Sequence, residues 1–266
     1  RARPSVASVT AAAPTADMDL GVTVGDDLDR LAASPARFDF CELGVGEPTL
    51  VPGEIDPGRL TDALAGRDLV VHLPYSQRLA SYVPEVNDAI VDYQRRLLDA
   101  AGDLGAAKAV LHATSADRDD VDFRETAAAQ LRRVADAGRE AGVEVVVENV
   151  GHQHAGLQLS VLGDLARETD TPVCFDVGHA YMEGGNKAIR RFLRSHGDRV
   201  SHLHCHDVRR RGDTHLPVGA GEVDYELVAS ELDGFDGTVA LEVFTDDEAL
   251  LLDSAERVAD GLGVEF

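Results

Sequence analysis

Short apolar runs alternate with amphipathic stretches along nearly the whole chain, and this pattern restricts the fold more than any other feature of the sequence. Apolar runs with few charges are typical of strands buried on both faces of a parallel sheet. The stretches between them repeat their apolar residues with the period of a helix. Eight strands are predicted, at Leu20–Val24, Phe38–Leu43, Leu69–Leu73, Ala109–His112, Val143–Glu148, Val173–Asp176, Val200–His204 and Thr238–Glu242.

A helix is predicted after each of these strands. The predicted helices lie near Asp26–Ala33, Asp56–Ala65, Pro84–Ala101, Asp122–Ala141, Ser160–Thr169, Asn186–His196, Asp224–Leu232 and Asp246–Leu262. Eight β–α units predict an α/β protein of the (β/α)8 TIM barrel type, which needs about 250 residues. The chain has 266 residues. A doubly wound sheet produces a similar alternation, so the pattern alone leaves that fold open.

One domain accounts for the periodic part of the sequence. Residues 18–266 contain no Pro-, Gly- or Ser-rich linker and no block of charge that would divide them, so we expect a single barrel. Residues 1–17 are rich in Ala, Pro, Ser and Thr and have no helical period. Their apolar stretch has no Leu, Ile or Phe, which argues against a signal peptide. We interpret residues 1–17 as a loose N-terminal extension, upstream of a natural start near Met18.

The charge balance disfavours two classes of partner. Lys and Arg number 25 against 48 Asp and Glu, a formal net charge of −23. So acidic a surface repels DNA and anionic lipid, and no apolar run reaches the roughly 18 residues of a membrane span. Only Lys108 and Lys187 are lysine, and acidic residues are spread along the sequence, which we interpret as a salt-adapted, halophilic surface. Concentrated salt screens the repulsion and weakens the argument against DNA.

The three cysteines indicate a reducing compartment. Cys41, Cys174 and Cys205 are odd in number, have no CxxC spacing and lie inside apolar runs. Such residues are typical of buried free thiols. We therefore expect a cytoplasmic protein, and the sequence leaves a homo-oligomer open.

Histidine and carboxylate residues end six consecutive predicted strands, from the third to the eighth. These residues are His72, His112, Glu148, Asp176, then His204 or His206, and Glu242. TIM barrel enzymes carry their chemistry at the carboxyl ends of the strands. One polar residue at a strand end usually just begins a loop, but six in succession are not expected by chance. Buried carboxylates also repel one another, and a bound cation would offset that repulsion.

Two further pairs extend this set. Asp176 is followed by His179, and Asp213 with His215 lies in the long non-periodic segment 207–221. A loop of that length is usually functional. All the candidate ligands offer nitrogen or oxygen, and the histidines favour Zn, Mn or Co over Mg or Ca. Because an imidazole must be neutral to bind a metal, we expect metal affinity to fall below about pH 6.

Around these positions the sequence resembles the xylose isomerase-like TIM barrel superfamily, which contains sugar isomerases and epimerases and the endonuclease IV family of abasic-site nucleases. The resemblance extends from about Asp19 to the C-terminus. It is carried by the motifs CELGVGEP (41–48), VHLPYSQRLAS (71–81), VLHATS (110–115), VVVENVG (145–151), CFDVGHAYMEG (174–184), HLHCHD with DTHLPVGAGEVDY (202–225) and ALEVF (240–244).

The isomerase and epimerase pattern of this superfamily implies a single divalent ion. Its ligands would be Glu148, Asp176, His204 and Glu242. In such enzymes the two glutamates also form the acid/base pair that flanks the substrate carbon. The resemblance further implies that His179 and an arginine after the seventh strand, here Arg210, hold sugar hydroxyls.

The endonuclease IV pattern implies three divalent ions instead. One ion would be held by His72, His112 and Glu148. The second would be held by Glu148, Asp176, His204 and Glu242, and the third by His179, Asp213 and His215. This chain has a residue of the required type at all nine positions.

Charge and loop composition help to separate the two patterns. One ion with Glu148, Asp176 and Glu242 leaves a net charge of about −1, which suits a neutral hydroxy-ketone. Three ions with those carboxylates and Asp213 leave about +2, which suits an anionic phosphoester. The loop after the third predicted strand has Arg78 where the nucleases usually have Asn. The chain is also shorter than typical nucleases of that family, and basic wedge-bearing loops are not evident.

The leading hypothesis from the sequence is a metal-dependent isomerase or epimerase of a small sugar or sugar phosphate, with DNA disfavoured as a partner. It would use one ion of Zn, Mn or Co. A phosphoester hydrolase with up to three ions is the alternative, and a non-catalytic barrel that binds a metabolite or metal is a third. Glu42, at the end of the second predicted strand, and Tyr75, after the third, are predicted to line the substrate cleft.

Overall fold

The computed structural model describes residues 18–115, 123–151, 155–209, 212–232, 234–263 and 266. The predicted extension at residues 1–17 and the substrate-binding candidate Arg210 lie outside these residues. Among the described helices, none combines the length and the apolar character that a membrane span requires.

Eight parallel strands close into a barrel, which confirms the predicted (β/α)8 TIM barrel. The strands of the chain are β1 (Asp19–Gly25), β2 (Phe40–Gly44), β3 (Asp68–His72), β4 (Lys108–His112), β5 (Glu144–Glu148), β6 (Val173–Asp176), β7 (Val200–Cys205), β8 (Asp207–Arg209), β9 (Gly212–Leu216) and β10 (Thr238–Leu241). Strands β1 to β7 follow one another around the barrel, and β10 closes it between β7 and β1. Strands β8 and β9 pair antiparallel as a separate hairpin.

Helices pack against the outside of this barrel. They are α1 (Leu28–Ala33), α2 (Pro57–Leu64), α3 (Pro84–Asp103), α4 (Phe123–Ala141), α5 (Leu159–Thr169), α6 (Val177–Gly184), α7 (Asn186–His196), α8 (Tyr225–Glu231) and α9 (Glu248–Leu262). Aspartates begin several of them: the side chain of Asp56 accepts the N–H of Arg59 in α2, and Asp224 accepts that of Leu227 in α8. Such caps satisfy backbone donors that the first helical turn leaves unpaired.

Two elements differ from the prediction. Helix α6 begins directly after β6, because Asp176 accepts the N–H of His179 at 2.5 Å and so caps it. The segment 207–221, expected to be non-periodic, contains the β8–β9 hairpin. Periodicity indicates neither element, since α6 has only eight residues and the hairpin strands are too short for a clear alternation.

The inward faces of the strands form an apolar layer with a polar layer above it. The apolar layer consists of Phe40, Val70, Val110, Val146, Cys174 and Ala240. Gly21 on β1 leaves room for Phe40, because a Cβ at position 21 would overlap its ring. Side chains two positions apart on a strand point to the same face. The inward residues two positions further on are polar, namely Glu42, His72, His112, Glu148, Asp176 and Glu242.

A second, larger core lies between the barrel and its helices. It includes Leu203 and Cys205, which point outward from β7, and Ile189 and Phe192 of α7. The three cysteines are buried and free, as expected for structural thiols. Inside the barrel, the inward-facing positions at the carboxyl ends of the strands are therefore occupied by the polar layer.

Candidate metal centre

Four side chains from neighbouring strands converge at the mouth of the barrel, and we call them the central quartet: Glu148, Asp176, His204 and Glu242. The Nδ1 atom of His204 lies 3.2 Å from Glu242 Oε2, 3.6 Å from Glu148 Oε1 and 3.9 Å from Asp176 Oδ2. All four residues are buried. Three carboxylates around one ring nitrogen form a compact donor set for a divalent ion.

The His72 group, made of His72, His112 and Glu148, adjoins the quartet. The Nε2 atoms of His112 and His72 lie 3.1 and 3.3 Å from Glu148 Oε2. The other carboxylate oxygen of Glu148, Oε1, faces His204. Glu148 therefore directs one oxygen to each group, as a carboxylate shared by two ions would.

The Asp213 group, made of His179, Asp213 and His215, completes the set. Asp213 Oδ2 lies 3.1 Å from His179 Nε2, and its Oδ1 lies 3.1 Å from His215 Nε2. His179 Nδ1 is 3.3 Å from Asp176 Oδ2, which connects this group to the quartet. His215 has a φ of 41°, a left-handed conformation that costs on the order of 1–3 kcal/mol for a residue other than glycine. The surrounding loop holds this conformation, which directs His215 to Asp213.

The ligand atoms of the quartet are arranged to bind a cation rather than to hydrogen-bond with one another. His204 Nδ1 and Glu242 Oε2 are buried, and neither has a hydrogen-bond partner among the described residues although they lie only 3.2 Å apart. Buried polar atoms are normally paired. A divalent ion between these atoms would satisfy both and would also contact the oxygens of Glu148 and Asp176.

Histidines keep the buried carboxylates ionised. Burial alone would raise the pKa of Glu148, but His112 and His204 outweigh it and hold this pKa well below its usual value. Burial opposes ionisation of Asp176 as well, yet the charges of His179 and His206 bring its pKa down to about 2. The pKa values of His179 and His204 are raised well above the usual value, because their anionic neighbours outweigh burial, so these two rings supply positive charge that a bound cation would otherwise supply.

Asp207 organises the loop that carries the Asp213 group. Its carboxylate accepts the backbone N–H groups of Gly219 and Gly221, each at 2.9 Å, and those of Val208 and Val223 at 3.0 and 3.1 Å. A Cβ on Gly221 would overlap this carboxylate. The glycines at 219 and 221 therefore shape the loop around an internal carboxylate.

Glu148 and Glu242 of the quartet, together with every residue of the His72 and Asp213 groups, line a cavity of about 600 Å³. Tyr75 and Phe244 stand at its rim, 74% and 58% exposed. Besides Tyr75, the titratable side chains of its wall are five carboxylates and four histidines, namely Asp26, Glu47, Glu148, Asp213, Glu242, His72, His112, His179 and His215. In the part of the chain that the structure describes, no lysine or arginine lines the cavity. The cavity is therefore acidic, with aromatic side chains at its edge.

The structure brings all nine predicted metal ligands together, but it places Glu42 elsewhere than expected. The sequence predicted that Glu42 lines the substrate cleft. Its side chain is instead fully buried, and its carboxylate contacts Thr23, His202 and His204. His204 separates it from the quartet, because Nε2 of that ring faces Glu42 while Nδ1 faces the other carboxylates.

Two residues outside the nine predicted metal ligands support Asp176. His206 Nε2 lies 3.1 and 3.2 Å from its two carboxylate oxygens. The Asn149 amide accepts the backbone N–H of Asp176 at 2.9 Å and donates to its carbonyl at 2.8 Å. The period-two spacing of the β7 histidines was a signal for His206, whereas nothing in the local sequence around Asn149 indicates its partner.

Fold and site together define a TIM barrel with a candidate metal centre of histidines and carboxylates at the carboxyl ends of its strands, where barrel enzymes hold their active sites. The chain belongs to the xylose isomerase-like TIM barrel family, whose model matches residues 32–264.

Individual relatives include proteins of two activities. A probable endonuclease 4 of Mycobacterium ulcerans (strain Agy99) is 30% identical over 189 residues, which are 67% of this chain and 73% of that protein. The structure of D-allulose 3-epimerase from Methylomonas sp. in complex with D-allulose has a TM-score of 0.74 at 16% identity, over 92% of this chain and 97% of the epimerase. Endonuclease IV from Thermus thermophilus has a TM-score of 0.67 at 19% identity, over 92% of this chain and 99% of that chain. The structural similarities establish the fold.

Proposed function

We propose that this chain is a divalent-metal-dependent isomerase or epimerase of a small sugar. The observation that carries the proposal is the central quartet, two of whose members lie in the wall of the cavity. Glu148 and Glu242 flank His204 Nδ1 at 3.6 and 3.2 Å, and both glutamates line the cavity. A divalent ion held by the quartet would polarise the hydroxyl and carbonyl oxygens of a bound sugar.

The two glutamates are the candidate proton carriers. Epimerisation removes a proton from a carbon next to a carbonyl and returns it to the opposite face, and isomerisation returns it to the neighbouring position. Glu148 is ionised and can accept a proton, because His112 and His204 overcome the effect of burial and hold its pKa low. Glu242 is the candidate for the opposite face. His179, Tyr75 and Arg210 are proposed to contact the sugar.

The charge of the cavity favours an uncharged sugar over a phosphorylated one. One ion with the three carboxylates of the quartet leaves about −1, and a phosphate would be repelled. Asp26 and Glu47 add two more negative charges to the wall. Among the described residues, no basic side chain lines the cavity to offset them. The same argument disfavours DNA.

A phosphoester hydrolase with three ions is the second candidate, and one observation favours it. The His72 group and the Asp213 group are assembled beside the quartet, and each places its ligand atoms within 4.8 Å of one another. A single-ion isomerase does not require them. Three ions with the four carboxylates of these groups give about +2, which Asp26 and Glu47 reduce to about zero. An anionic substrate therefore gains little even in the fully loaded cavity.

The test is exchange of carbon-bound hydrogen with solvent. The chain, loaded with Mn²⁺ or Co²⁺, is incubated with a panel of ketoses in D₂O, and NMR and mass spectrometry follow deuterium incorporation and new epimers. We expect Glu148→Gln and Glu242→Gln each to lower the exchange rate by about 10²- to 10⁴-fold. Glu226→Gln, the same change at an exposed position of α8, is the matched control and should retain exchange.

The alternatives predict different results in the same preparation. Exchange that both glutamine variants leave unchanged would reject the proposal. Three ions per chain by elemental analysis, with phosphoester cleavage and no exchange, would establish the hydrolase. Sugar binding without exchange or cleavage would indicate a non-catalytic barrel.

A further inference from the structure

A continuous chain of polar groups, half-buried at its outer end and fully buried at its inner end, runs through the barrel beneath the central quartet. It begins at the amino ends of the strands, where Lys108 Nζ lies 2.9 Å from Thr238 Oγ1. Thr238 Oγ1 lies 2.6 Å from His202 Nδ1, and His202 Nε2 lies 3.1 Å from Glu42 Oε2. The same oxygen of Glu42 lies 3.0 Å from His204 Nε2. The chain therefore ends on a ring of the quartet.

These groups do not belong to the apolar layer that surrounds them. Six of the eight barrel strands contribute an apolar side chain to that layer. Strand β7 instead places His202 beside Cys174 of β6, and both His202 and Glu42 are fully buried. Well-packed apolar side chains usually stabilise an interior at least as well as buried charged groups do. Stability alone therefore does not account for this chain.

Two charged residues of this chain of hydrogen bonds, Lys108 and Glu42, restrict the directions that the bonds can take. The ammonium of Lys108 can only donate, and the carboxylate of Glu42 can only accept. His202 Nε2 must therefore carry a proton and donate it to Glu42. The Thr238 hydroxyl oxygen accepts from Lys108, and the acceptor nearer to its own proton is His202 Nδ1 at 2.6 Å rather than the Ser201 carbonyl oxygen at 3.4 Å.

The same reasoning extends to His204. Its Nε2 faces Glu42 and must donate, so Nδ1, which faces the quartet, is the nitrogen whose electron pair a metal ion would use. Glu42 receives a third hydrogen bond from Thr23 Oγ1 at 3.1 Å, on its other oxygen. Three donors thus hold Glu42 in one orientation, and Glu42 in turn sets the tautomer of His204.

We infer that Lys108, Thr238, His202 and Glu42 form a positioning relay that fixes the tautomer and the orientation of His204 and so prepares its Nδ1 atom to bind a metal ion. The inference rests on the proposed function only in taking His204 as a metal ligand. Carboxylates that accept the second N–H of a ligating histidine orient the ring and raise its basicity, and their loss typically costs 10- to 100-fold in metal affinity.

The experiment measures metal affinity and tautomer state rather than turnover. Isothermal titration with Mn²⁺ gives the dissociation constant of each variant. We expect Glu42→Gln to weaken Mn²⁺ binding by about 10- to 100-fold, since the amide keeps the shape but not the charge. Thr238→Val removes the hydroxyl that orients His202, and it should weaken binding in the same direction by a smaller factor.

A matched control separates this effect from the loss of any buried hydroxyl. Thr169→Val, in α5, removes a buried hydroxyl that donates a hydrogen bond to Leu165 O and lies 2.9 Å from Thr171 Oγ1. Neither partner belongs to the relay. It should leave the Mn²⁺ affinity unchanged. Long-range ¹⁵N NMR of the Zn²⁺-loaded protein should show His202 and His204 both protonated at Nε2, and Glu42→Gln should abolish that uniform tautomer state.

The outcomes distinguish this inference from the proposed function. Mn²⁺ affinity that is the same in the wild type, Glu42→Gln and Thr238→Val would overturn the relay while leaving the metal centre intact. A wild type that binds no more Mn²⁺ than His204→Gln would overturn both. The expected losses of affinity, in a protein that catalyses no exchange into ketoses, would support the relay and reject the isomerase.

Discussion

The carboxylate of Asp207 accepts the backbone N–H of Gly221 at 2.9 Å, across 14 positions of sequence, and it occupies the space where a Cβ of residue 221 would lie. The β8–β9 hairpin begins at Asp207, ends before Gly221 and carries Asp213 and His215. Their contact therefore holds one side of the candidate metal centre against the barrel, although neither residue contacts the cavity.

Removing this contact should destabilise the protein. We expect Asp207→Asn to lower the free energy of unfolding by roughly 3 kcal/mol, because hydrogen bonds to a charged group contribute about 1.5–3 kcal/mol each and an amide cannot accept four of them. Gly221→Ala should act in the same direction through overlap with the carboxylate. Urea denaturation followed by circular dichroism measures both variants. Asp62→Asn, exposed on α2, is the control, and an equally stable Asp207→Asn would contradict the assigned role.

Alanine substitutions at two phenylalanines should separate effects on stability from effects on substrate binding. Phe40 is 2% exposed inside the barrel, whereas Phe244 is 58% exposed at the cavity rim and stacks on His215 with ring centroids 4.1 Å apart. We expect Phe40→Ala to cost about 3–5 kcal/mol of unfolding free energy. Phe244→Ala should change it by less than about 0.5 kcal/mol while raising the KM for a sugar substrate. Equal destabilisation by the two substitutions would argue against the described packing of Phe40.

Metal binding should release protons at pH values up to about 9, and not only near the pH of about 6 that the sequence indicates. Burial lowers the pKa of His72, but its hydrogen bond to Glu148 and the charge of that residue raise it to about 9. Below that pH the ring is protonated in the metal-free protein, and an ion must displace the proton. Affinity at the His72 group should therefore fall as the pH falls through about 9, by up to about tenfold per unit for each displaced proton.

Proton release on addition of Zn²⁺, measured with a pH indicator at several pH values, tests this expectation. His72→Gln should release about one proton fewer per chain at pH values below about 9. His196→Gln, the same substitution on α7 outside the barrel, should behave as the wild type does. Affinity that stays constant between about pH 7 and 9 would contradict the raised pKa of His72.

The two acidic residues at the rim should set the preference between neutral and phosphorylated sugars. Asp26 and Glu47 are exposed and line the cavity. We expect Asp26→Asn and Glu47→Gln each to raise kcat/KM for a sugar phosphate relative to the neutral sugar by about 1.4- to fivefold, since exposed charges interact by about 0.2–1 kcal/mol. The effect should fade at high salt. No change in this ratio at low ionic strength would show that the rim charges do not act on the substrate.

Much of this architecture could be predicted from local sequence. Residues such as Val146 and Glu148 lie two positions apart on one apolar run, so a buried strand must direct both side chains to the same face. The same spacing relates Val110 to His112. Eight such runs with helices between them are compatible with few compact folds. Each of these folds brings the carboxyl ends of the strands to the same side of the sheet. A parallel sheet whose carboxyl edge carries these ligands therefore follows from short-range pattern, whereas the choice of a barrel over a doubly wound sheet does not.

The remaining features depend on contacts between distant segments. Local sequence offers Glu42 as one more polar strand-end residue, but ring closure brings it below His204, 162 positions away, where no solvent reaches it. His204 in β7 and His206 directly after that strand also look equivalent in sequence, yet His204 joins the quartet while His206 contacts only Asp176 within it. Periodicity determined which face each side chain occupies, because that depends on the pleat of one strand. Only the tertiary structure decided which groups meet and which are covered, because strand register and side-chain packing depend on residues far apart in the chain.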